Sequence, residues 1–180
     1  MRAMAATSSS ASARAETPTV SGAIPALISA ARPAQWVKNL VVGLPFLFGA
    51  ALGSPRGWAL AAAGCAVFCL VTSGVYVVND VMDRERDRAH PIKRYRPLAS
   101  GRVSVGAALS TAALLLLAGL TAAFLLREEF GRWCAAYATL MVAYSLFLKR
   151  IPFLEALIVA AGMPLRALAG AALARVWPSP

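Results

Sequence analysis

An acidic row at the end of a long apolar stretch has the residue types and the spacing from which chemistry could be built. In NDVMDRERD (79–87), Asn79, Asp83 and Asp87 are four residues apart, and Asp80 lies three residues before Asp83. These spacings place all four side chains on one face of an α-helix, where three carboxylates repel one another unless a cation lies between them. Mg²⁺ binds such oxygens and completes its coordination with water and substrate phosphates. We therefore predict that Asn79, Asp80, Asp83 and Asp87 bind Mg²⁺ and that the three aspartates are catalytic.

A basic loop follows the acidic row. Pro91 ends any helix there, and Lys93, Arg94 and Arg96 come directly after it in RAHPIKRYRPLASGR (88–102). These cations can hold several phosphate groups through charge-assisted hydrogen bonds. Carboxylates for a metal, followed by cations for phosphates, predict a site for a diphosphate ester whose departing diphosphate the metal would neutralise. The alternative is a solvated helix face with basic anchors beside a membrane.

The elements that must position these residues are strongly apolar. Of the 180 residues, 59% are hydrophobic and 14% are charged, whereas soluble domains average about 25% charged residues. The apolar residues form five blocks, at 37–53, 58–79, 103–126, 133–148 and 152–174, and about 20 residues suffice to cross a bilayer. We predict an all-α, polytopic membrane helical bundle over residues 23–180. Residues 1–22, rich in Ala, Ser and Thr, are predicted to be a disordered tail.

The distribution of charge sets the predicted orientation. With the N-terminus inside, most of the 18 Lys and Arg residues lie on the inner side of the five blocks, as the positive-inside rule requires. The net charge of +10 is then a consequence of topology, and we expect no nucleic-acid partner. Cys65, Cys69 and Cys134 all lie within apolar blocks, which indicates packing residues rather than metal ligands.

Further polar residues lie in or beside the apolar blocks. They are Lys38, Asn39, Tyr144, Lys149, Glu155 and Arg166. Glu155 and Arg166 are eleven residues apart and share a helical face, so they either line a cavity or form a structural ion pair. The other four either take part in a site at the level of the acidic row or anchor helix ends in the headgroup region.

The resemblance of the chain to a known family rests on four segments. They are RPAQWVKN (32–39), YVVNDVMDRERDRAHPIKRYRPLASGR (76–102), YSLFLKR (144–150) and LEALIVAAGMPLRALAGA (154–171). These segments resemble the UbiA family of intramembrane prenyltransferases, and in particular its decaprenyl-phosphate phosphoribosyltransferase branch. The resemblance implies nine spans around a cavity open to the bilayer, and Mg²⁺ held with a diphosphate donor by two aspartate-rich motifs. It also implies that ten residues bind substrate: Lys38, Asn39, Asn79, Lys93, Arg94, Arg96, Tyr144, Lys149, Glu155 and Arg166.

The branch implies a particular reaction at the bacterial inner membrane, with the N-terminus and the aspartate-rich loop in the cytoplasm. 5-Phosphoribosyl diphosphate loses its diphosphate while the phosphate of a long polyprenyl (decaprenyl) phosphate attacks the ribose. The product would feed arabinan precursors of the cell wall. Two alternatives stay open: transfer of a polyprenyl group from its diphosphate to an aromatic acceptor, and a non-catalytic membrane remnant or ion-handling protein. A homo-oligomer is compatible with each of them.

The second aspartate-rich motif that the resemblance implies is not found in these 180 residues. After Asp87 the acidic residues are Glu128, Glu129 and Glu155. We therefore expect the chain to correspond to the N-terminal part of a family member, with five of the nine spans. We expect it to bind a divalent cation weakly and to be inactive by itself.

Overall fold

Helices make up the structure, a computed structural model that describes residues 20–48, 54–151 and 153–176. In chain order the α-helices are α1 (Val20–Ala30), α2 (Leu44–Phe48), α3 (Pro55–Ala89), α4 (Val105–Leu126), α5 (Glu128–Leu146) and α6 (Leu154–Ala174). Three 3₁₀ helices lie between them, at Pro33–Gly43, Lys93–Tyr95 and Leu148–Arg150. No strand occurs in the described ranges, which confirms the predicted all-α fold. The predicted disordered tail lies outside the described residues as far as residue 19, and α1 begins at Val20.

The longest helix, α3, has clear start and stop signals. At its N-terminus the Ser54 hydroxyl accepts a hydrogen bond from the Gly57 N–H, and Pro55 occupies the first turn. The helix ends just before Pro91, which cannot continue it. Its 35 residues extend about 52 Å, whereas the hydrocarbon core of a bilayer is about 30 Å thick. The acidic row lies in the last third of α3, so we infer that it lies at or beyond the membrane boundary.

Three helices of the described residues, α3, α4 and α6, are long and apolar enough to cross a membrane. They contain the predicted blocks at 58–79, 103–126 and 152–174 almost completely. The block at 133–148 lies largely in α5, which begins earlier than predicted, at Glu128. The bundle therefore has the predicted membrane character, while the count of five spans stays a prediction.

The structure departs from the prediction at the block 37–53, which is not one α-helix. Residues 33–43 form a 3₁₀ helix, residues 44–48 form α2, and residues 49–53 lie outside the described residues. Pro45 accounts for the interruption between these two helices, because it lacks the N–H that would bond the Val41 carbonyl in a continuous α-helix. That carbonyl accepts instead from the N–H of Leu44, in the tighter bonding pattern of a 3₁₀ helix.

The core of the bundle forms where α3, α5, α6 and the 3₁₀ helix at 33–43 meet. Phe68 of α3, Phe130 of α5, Leu173 of α6 and Val42 of the 3₁₀ helix are fully buried in one cluster. The backbone of α6 closely approaches the 3₁₀ helix at Gly170, where an added Cβ atom would overlap the carbonyl oxygen of Val42. Glycine at this position therefore fixes how closely the two helices approach.

Gly170→Ala tests this contact. Because the added methyl group would overlap a backbone carbonyl, we expect the free energy of unfolding to fall by about 1–3 kcal/mol, seen as a lower Tm of the purified protein in detergent. Gly106→Ala in α4 is the matched control, since nothing lies within 4 Å of a Cβ there and alanine has the higher helix propensity. Equal Tm values for the two variants would contradict the close approach.

Candidate active site

A cavity of about 570 Å³ opens beside the acidic row of α3. Its wall combines side chains from α3, α5, α6, the loop after α3 and the segment that follows α1. Eight of the predicted site residues line it: Lys38, Asn79, Asp83, Lys93, Arg96, Tyr144, Glu155 and Arg166. Apolar lining includes Val75, Met141, Val159 and Met163. The fold thus brings most of the predicted residues together around one space.

Helix α3 presents the acidic row to the protein interior. Asp80, Asp83 and Asp87 are 3%, 8% and 2% exposed, as expected for side chains three and four residues apart. On the solvent side of the same helix, Glu85 forms ion pairs with Arg84 and Arg88. The shared face that the spacing predicts is therefore present, and it is the buried face.

Two of the buried aspartates are paired with arginines from other segments. Arg32, which follows α1, donates to Asp80 Oδ1. Arg96 Nη1, in the loop before α4, lies 2.7 Å from Asp87 Oδ2 and 3.5 Å from Asp80 Oδ1. These contacts hold Arg32 and Arg96 at the edge of the cavity. The metal-binding role of Asp80 and Asp87 stays a prediction, since here both bind arginines.

Asp83 is the aspartate that lines the cavity. Its Oδ1 accepts from Lys149 Nζ at 2.7 Å and from Arg86 Nη2 at 3.0 Å, and its Oδ2 accepts from Asn79 Nδ2 at 3.1 Å. That contact orients the Asn79 amide, whose Oδ1 lies 3.2 Å from Ser145 Oγ. A carboxylate and an amide oxygen one helical turn apart are therefore fixed at the cavity wall.

Carboxylate and carbonyl oxygens are the donor types that Mg²⁺ prefers. In this structure the Asp83 carboxylate binds Lys149, Arg86 and the Asn79 amide, so its metal-binding role, like that of Asp80 and Asp87, stays a prediction. Within the described ranges, no three His, Cys, Asp or Glu side chains are grouped as a metal site. A metal bound at Asp83 and Asn79 would therefore obtain only part of its coordination shell from the described residues. Water and substrate phosphate oxygens would have to supply the rest.

Arg166 lines another part of the cavity wall and contacts Asn39, which is buried and does not itself line the cavity. Arg166 Nε donates to Asn39 Oδ1 at 3.0 Å, Nη1 to the Gly162 carbonyl at 2.8 Å, and Nη2 to the Tyr137 hydroxyl at 2.9 Å. Asn39 Nδ2 lies 3.0 Å from Thr72 Oγ1 of α3. One buried arginine thus joins α5, α6 and the 3₁₀ helix at 33–43, and through Asn39 it is linked to α3.

Glu155 does not pair with Arg166. Its Oε1 accepts from the Tyr144 hydroxyl at 2.9 Å, while Arg166 is held by the neutral groups described above. The structural ion pair that was one of two interpretations of these residues is therefore not formed. Both residues line the cavity instead.

Some residues lie where the sequence did not lead us to expect them. Arg94, a predicted phosphate ligand, is exposed and stacks on Tyr95, with 4.9 Å between its guanidinium carbon and the ring centroid. Five polar lining residues escaped prediction: Arg32, Tyr76, Arg86, Tyr137 and Ser145. Arg32 adopts a left-handed backbone conformation (φ 53°) between α1 and the 3₁₀ helix. The sequence feature that could have identified it is an arginine directly before a proline, within the segment RPAQWVKN. Tyr137 lies in an apolar block, and no sequence feature there indicated a residue of the cavity wall.

The sequence profile of the UbiA prenyltransferase family matches residues 39–180. The chain belongs to the UbiA prenyltransferase family. It is 40% identical over 154 residues to a decaprenyl-phosphate phosphoribosyltransferase of Mycolicibacterium smegmatis, covering 83% of this chain and 48% of the relative. It is 38% identical over 154 residues to the enzyme of the same name from Corynebacterium glutamicum, covering 83% and 46%. The chain therefore spans about half the length of these curated relatives.

Solved family members share the fold. The structure of a UbiA homolog from Archaeoglobus fulgidus bound to GPP and Mg²⁺ superposes with a TM-score of 0.75 at 22% sequence identity, covering 86% of this chain and 56% of that chain. At 22% sequence identity, the structural similarity shows the shared helical fold. It agrees with the membrane bundle that the apolar blocks predict.

A double-mutant cycle tests the pairing of Arg32 with Asp80. Asp80→Asn leaves Arg32 without its carboxylate and removes the more distant of the two carboxylates beside Arg96, so we expect the free energy of unfolding to fall by about 3 kcal/mol. The double variant Asp80→Asn, Arg32→Met should lose less than the sum of the two single variants. Glu85→Gln, on the exposed face of the same helix, is the control and should change stability by at most about 0.5 kcal/mol. Strict additivity in denaturation of the detergent-solubilised protein would exclude the interaction.

Proposed function

We propose that this protein is a Mg²⁺-dependent intramembrane transferase. It moves the 5-phosphoribosyl group from phosphoribosyl diphosphate to a polyprenyl phosphate, such as decaprenyl phosphate, in the synthesis of cell-wall arabinan precursors. The observation that carries the proposal is the cavity wall on which Asp83 and Asn79 occur together with Lys38, Lys93 and Arg96. Oxygen donors beside several cations suit a metal-bound diphosphate. The two relatives with this activity in their names support the choice of donor.

The metal would be held by Asp83 and Asn79, with Asp80 and Asp87 as further carboxylates of the acidic row. When bound, Mg²⁺ neutralises negative charge on the diphosphate leaving group. The described residues have a separate task, which is to bind the two substrates and orient them.

The cations of the cavity come from two segments that converge on the leaving group. Lys93 and Arg96 belong to the loop after α3, and Lys38 belongs to the 3₁₀ helix at 33–43. As the bond between ribose C1 and the diphosphate oxygen breaks, its electron pair stays on that oxygen, where fixed cations stabilise it. An oxygen of the acceptor phosphate forms the new bond to C1. Because a phosphate monoester is already anionic at pH 7, no side chain has to remove a proton from it.

A second candidate function is transfer of a polyprenyl group from its diphosphate to an aromatic acceptor. It is favoured by the GPP bound to the Archaeoglobus fulgidus homolog. Met141, Val159 and Met163 in the cavity wall would suit an isoprenoid chain. Both functions use a diphosphate leaving group, so they differ in the group that is transferred and not in the residues that hold the diphosphate.

Labelled donors distinguish the two functions. Because we expect the 180 residues to be inactive by themselves, the assay uses membranes from cells that express a complete family member containing these residues. The membranes are given decaprenyl phosphate, Mg²⁺ and phosphoribosyl diphosphate labelled in the ribose, and we expect a labelled lipid. Asp83→Asn should reduce formation of the labelled lipid by about 100-fold or more. The reason is that Asp83 would hold the Mg²⁺ that stabilises the negative charge of the leaving group. Arg132→Gln is the control, since Arg132 pairs with Glu128 at the start of α5. A labelled product formed only from a prenyl diphosphate and an aromatic acid would establish the second function instead.

We also propose that the protein is an integral protein of the bacterial inner membrane, with the N-terminus and the loop before α4 in the cytoplasm. Ile92 in that loop is 76% exposed, and Glu128 lies beyond the other end of α4. The 22 residues of α4 extend about 33 Å, which is enough to cross the hydrocarbon core. The two positions should therefore lie on opposite sides.

Cysteine labelling tests this orientation. We expect Ile92→Cys to react with a membrane-impermeant maleimide in inverted vesicles, and Glu128→Cys to react in right-side-out spheroplasts. The unsubstituted protein controls for Cys65, Cys69 and Cys134. The opposite pattern of labelling would show that the orientation is reversed.

A further inference from the structure

Arg166 is a buried cation in the middle of an apolar helix. It is 5% exposed, and α6 extends from Leu154 to Ala174 on either side of it. At 1.5 Å per residue, its Cα lies about 18 Å from the start of α6. Because α6 is one of the helices able to cross a membrane, a charge at this depth is costly unless it has a partner or lines a cavity.

The groups that contact Arg166 are all neutral. Its hydrogen bonds go to an amide, a backbone carbonyl and a phenol, and its guanidinium carbon lies 4.9 Å and 5.7 Å from the ring centroids of Tyr137 and Phe68. None of the ion pairs formed by the described residues includes Arg166. In the part of the chain that the structure describes, its charge is therefore not balanced by a carboxylate.

The position of Arg166 also separates it from the acidic row. Through Asn39, Arg166 is joined to Thr72 of α3, and Thr72 precedes Asn79 and Asp83 by seven and eleven residues. These offsets correspond to about 10 Å and 16 Å along α3. The cavity therefore has two charged regions, one at the acidic row and one deeper in the bundle.

Arg166 retains the capacity to bind a ligand. A guanidinium has five N–H groups, and the three hydrogen bonds use three of them, so two stay available. Beside it on the same face of α6, Val159 and Met163 line the cavity and are 56% and 43% exposed. A fixed cation next to an uncovered apolar surface suits an anionic group, including one that is attached to a hydrocarbon chain.

We propose that Arg166 binds a phosphate monoester group at the deep end of the cavity, separate from the diphosphate at the acidic row. This proposal rests on the proposed function, in which each substrate carries such a group. The acceptor has its lipid phosphate, and the donor has its ribose 5-phosphate. The bound group supplies the negative charge that the described residues do not provide to Arg166.

Binding measurements on the detergent-solubilised full chain test the proposal without turnover. The probes are farnesyl phosphate and ribose 5-phosphate, with farnesol as the uncharged counterpart and inorganic diphosphate with Mg²⁺ as the probe of the acidic row. Two variants act on the cation: Arg166→Gln removes the charge, and Asn39→Asp keeps the arginine but places a carboxylate against it. Arg132→Gln, on an exposed arginine at the start of α5, is the control.

We expect one phosphate probe to bind about 10–100-fold more weakly to both variants than to the unsubstituted protein. Binding of farnesol, and of diphosphate with Mg²⁺, should change by less than about twofold, because those probes do not use Arg166. Weaker binding of farnesyl phosphate identifies the lipid acceptor as the source of the phosphate group, and weaker binding of ribose 5-phosphate identifies the donor as its source.

The proposal is overturned if neither phosphate probe binds the unsubstituted protein, or if both variants bind the probes as tightly as it does. If Arg166→Gln does not fold, probe binding by Asn39→Asp tests the proposal, since that substitution preserves the size of the side chain. If the probes bind through Arg166 but a complete family member containing these residues transfers no phosphoribosyl group, the proposed function alone is contradicted.

Discussion

Burial of three carboxylates on one helix is the constraint on which the arrangement of the site depends. Asp80, Asp83 and Asp87 are at most 8% exposed, and a buried carboxylate that loses its counter-charge destabilises a protein by several kcal/mol. The counter-charges come from four places in the chain: Arg32 after α1, Arg86 on α3 itself, Arg96 before α4 and Lys149 after α5. Each must reach the same face of α3, so the pairing gathers the ends of several segments around one cavity.

A second buried contact positions the deeper part of the bundle. Asn39 lies in the 3₁₀ helix at 33–43, and Gly170 lets that 3₁₀ helix approach α6 closely. The approach brings Asn39 within hydrogen-bonding distance of Arg166. The close approach at Gly170 thereby contributes to the position of the buried cation.

The parts of the site that follow from local geometry could be predicted from the sequence, and the parts that depend on packing could not. Spacings of three and four residues place the aspartates on one face of any helix, and Ser54 and Pro91 mark the limits of α3. The partner of each aspartate could not be predicted in this way, because Arg32 is 48 residues from Asp80 and Lys149 is 66 residues from Asp83. Such contacts depend on how the helices pack.

The loop after α3 shows the same limit at short range. Arg94 and Arg96 are two residues apart and equally basic, yet Arg94 stacks on Tyr95 while Arg96 binds Asp87. The short 3₁₀ helix at Lys93–Tyr95 directs them to different sides. Composition identified the loop as a cluster of cations, but only the backbone conformation distinguishes the residue at the cavity from the residue in solvent.

The balance of charge at the cavity bears on how a metal would reach it. Acidic side chains there are Asp80, Asp83, Asp87 and Glu155, and basic ones are Arg32, Lys38, Arg86, Lys93, Arg96, Lys149 and Arg166. The excess of positive charge repels a free divalent cation and attracts anions. A diphosphate keeps a net negative charge after it binds one Mg²⁺, so the complex is attracted where the bare ion is not. For the metal site proposed at the acidic row, the surrounding cations therefore favour a metal that enters together with its phosphate ligand.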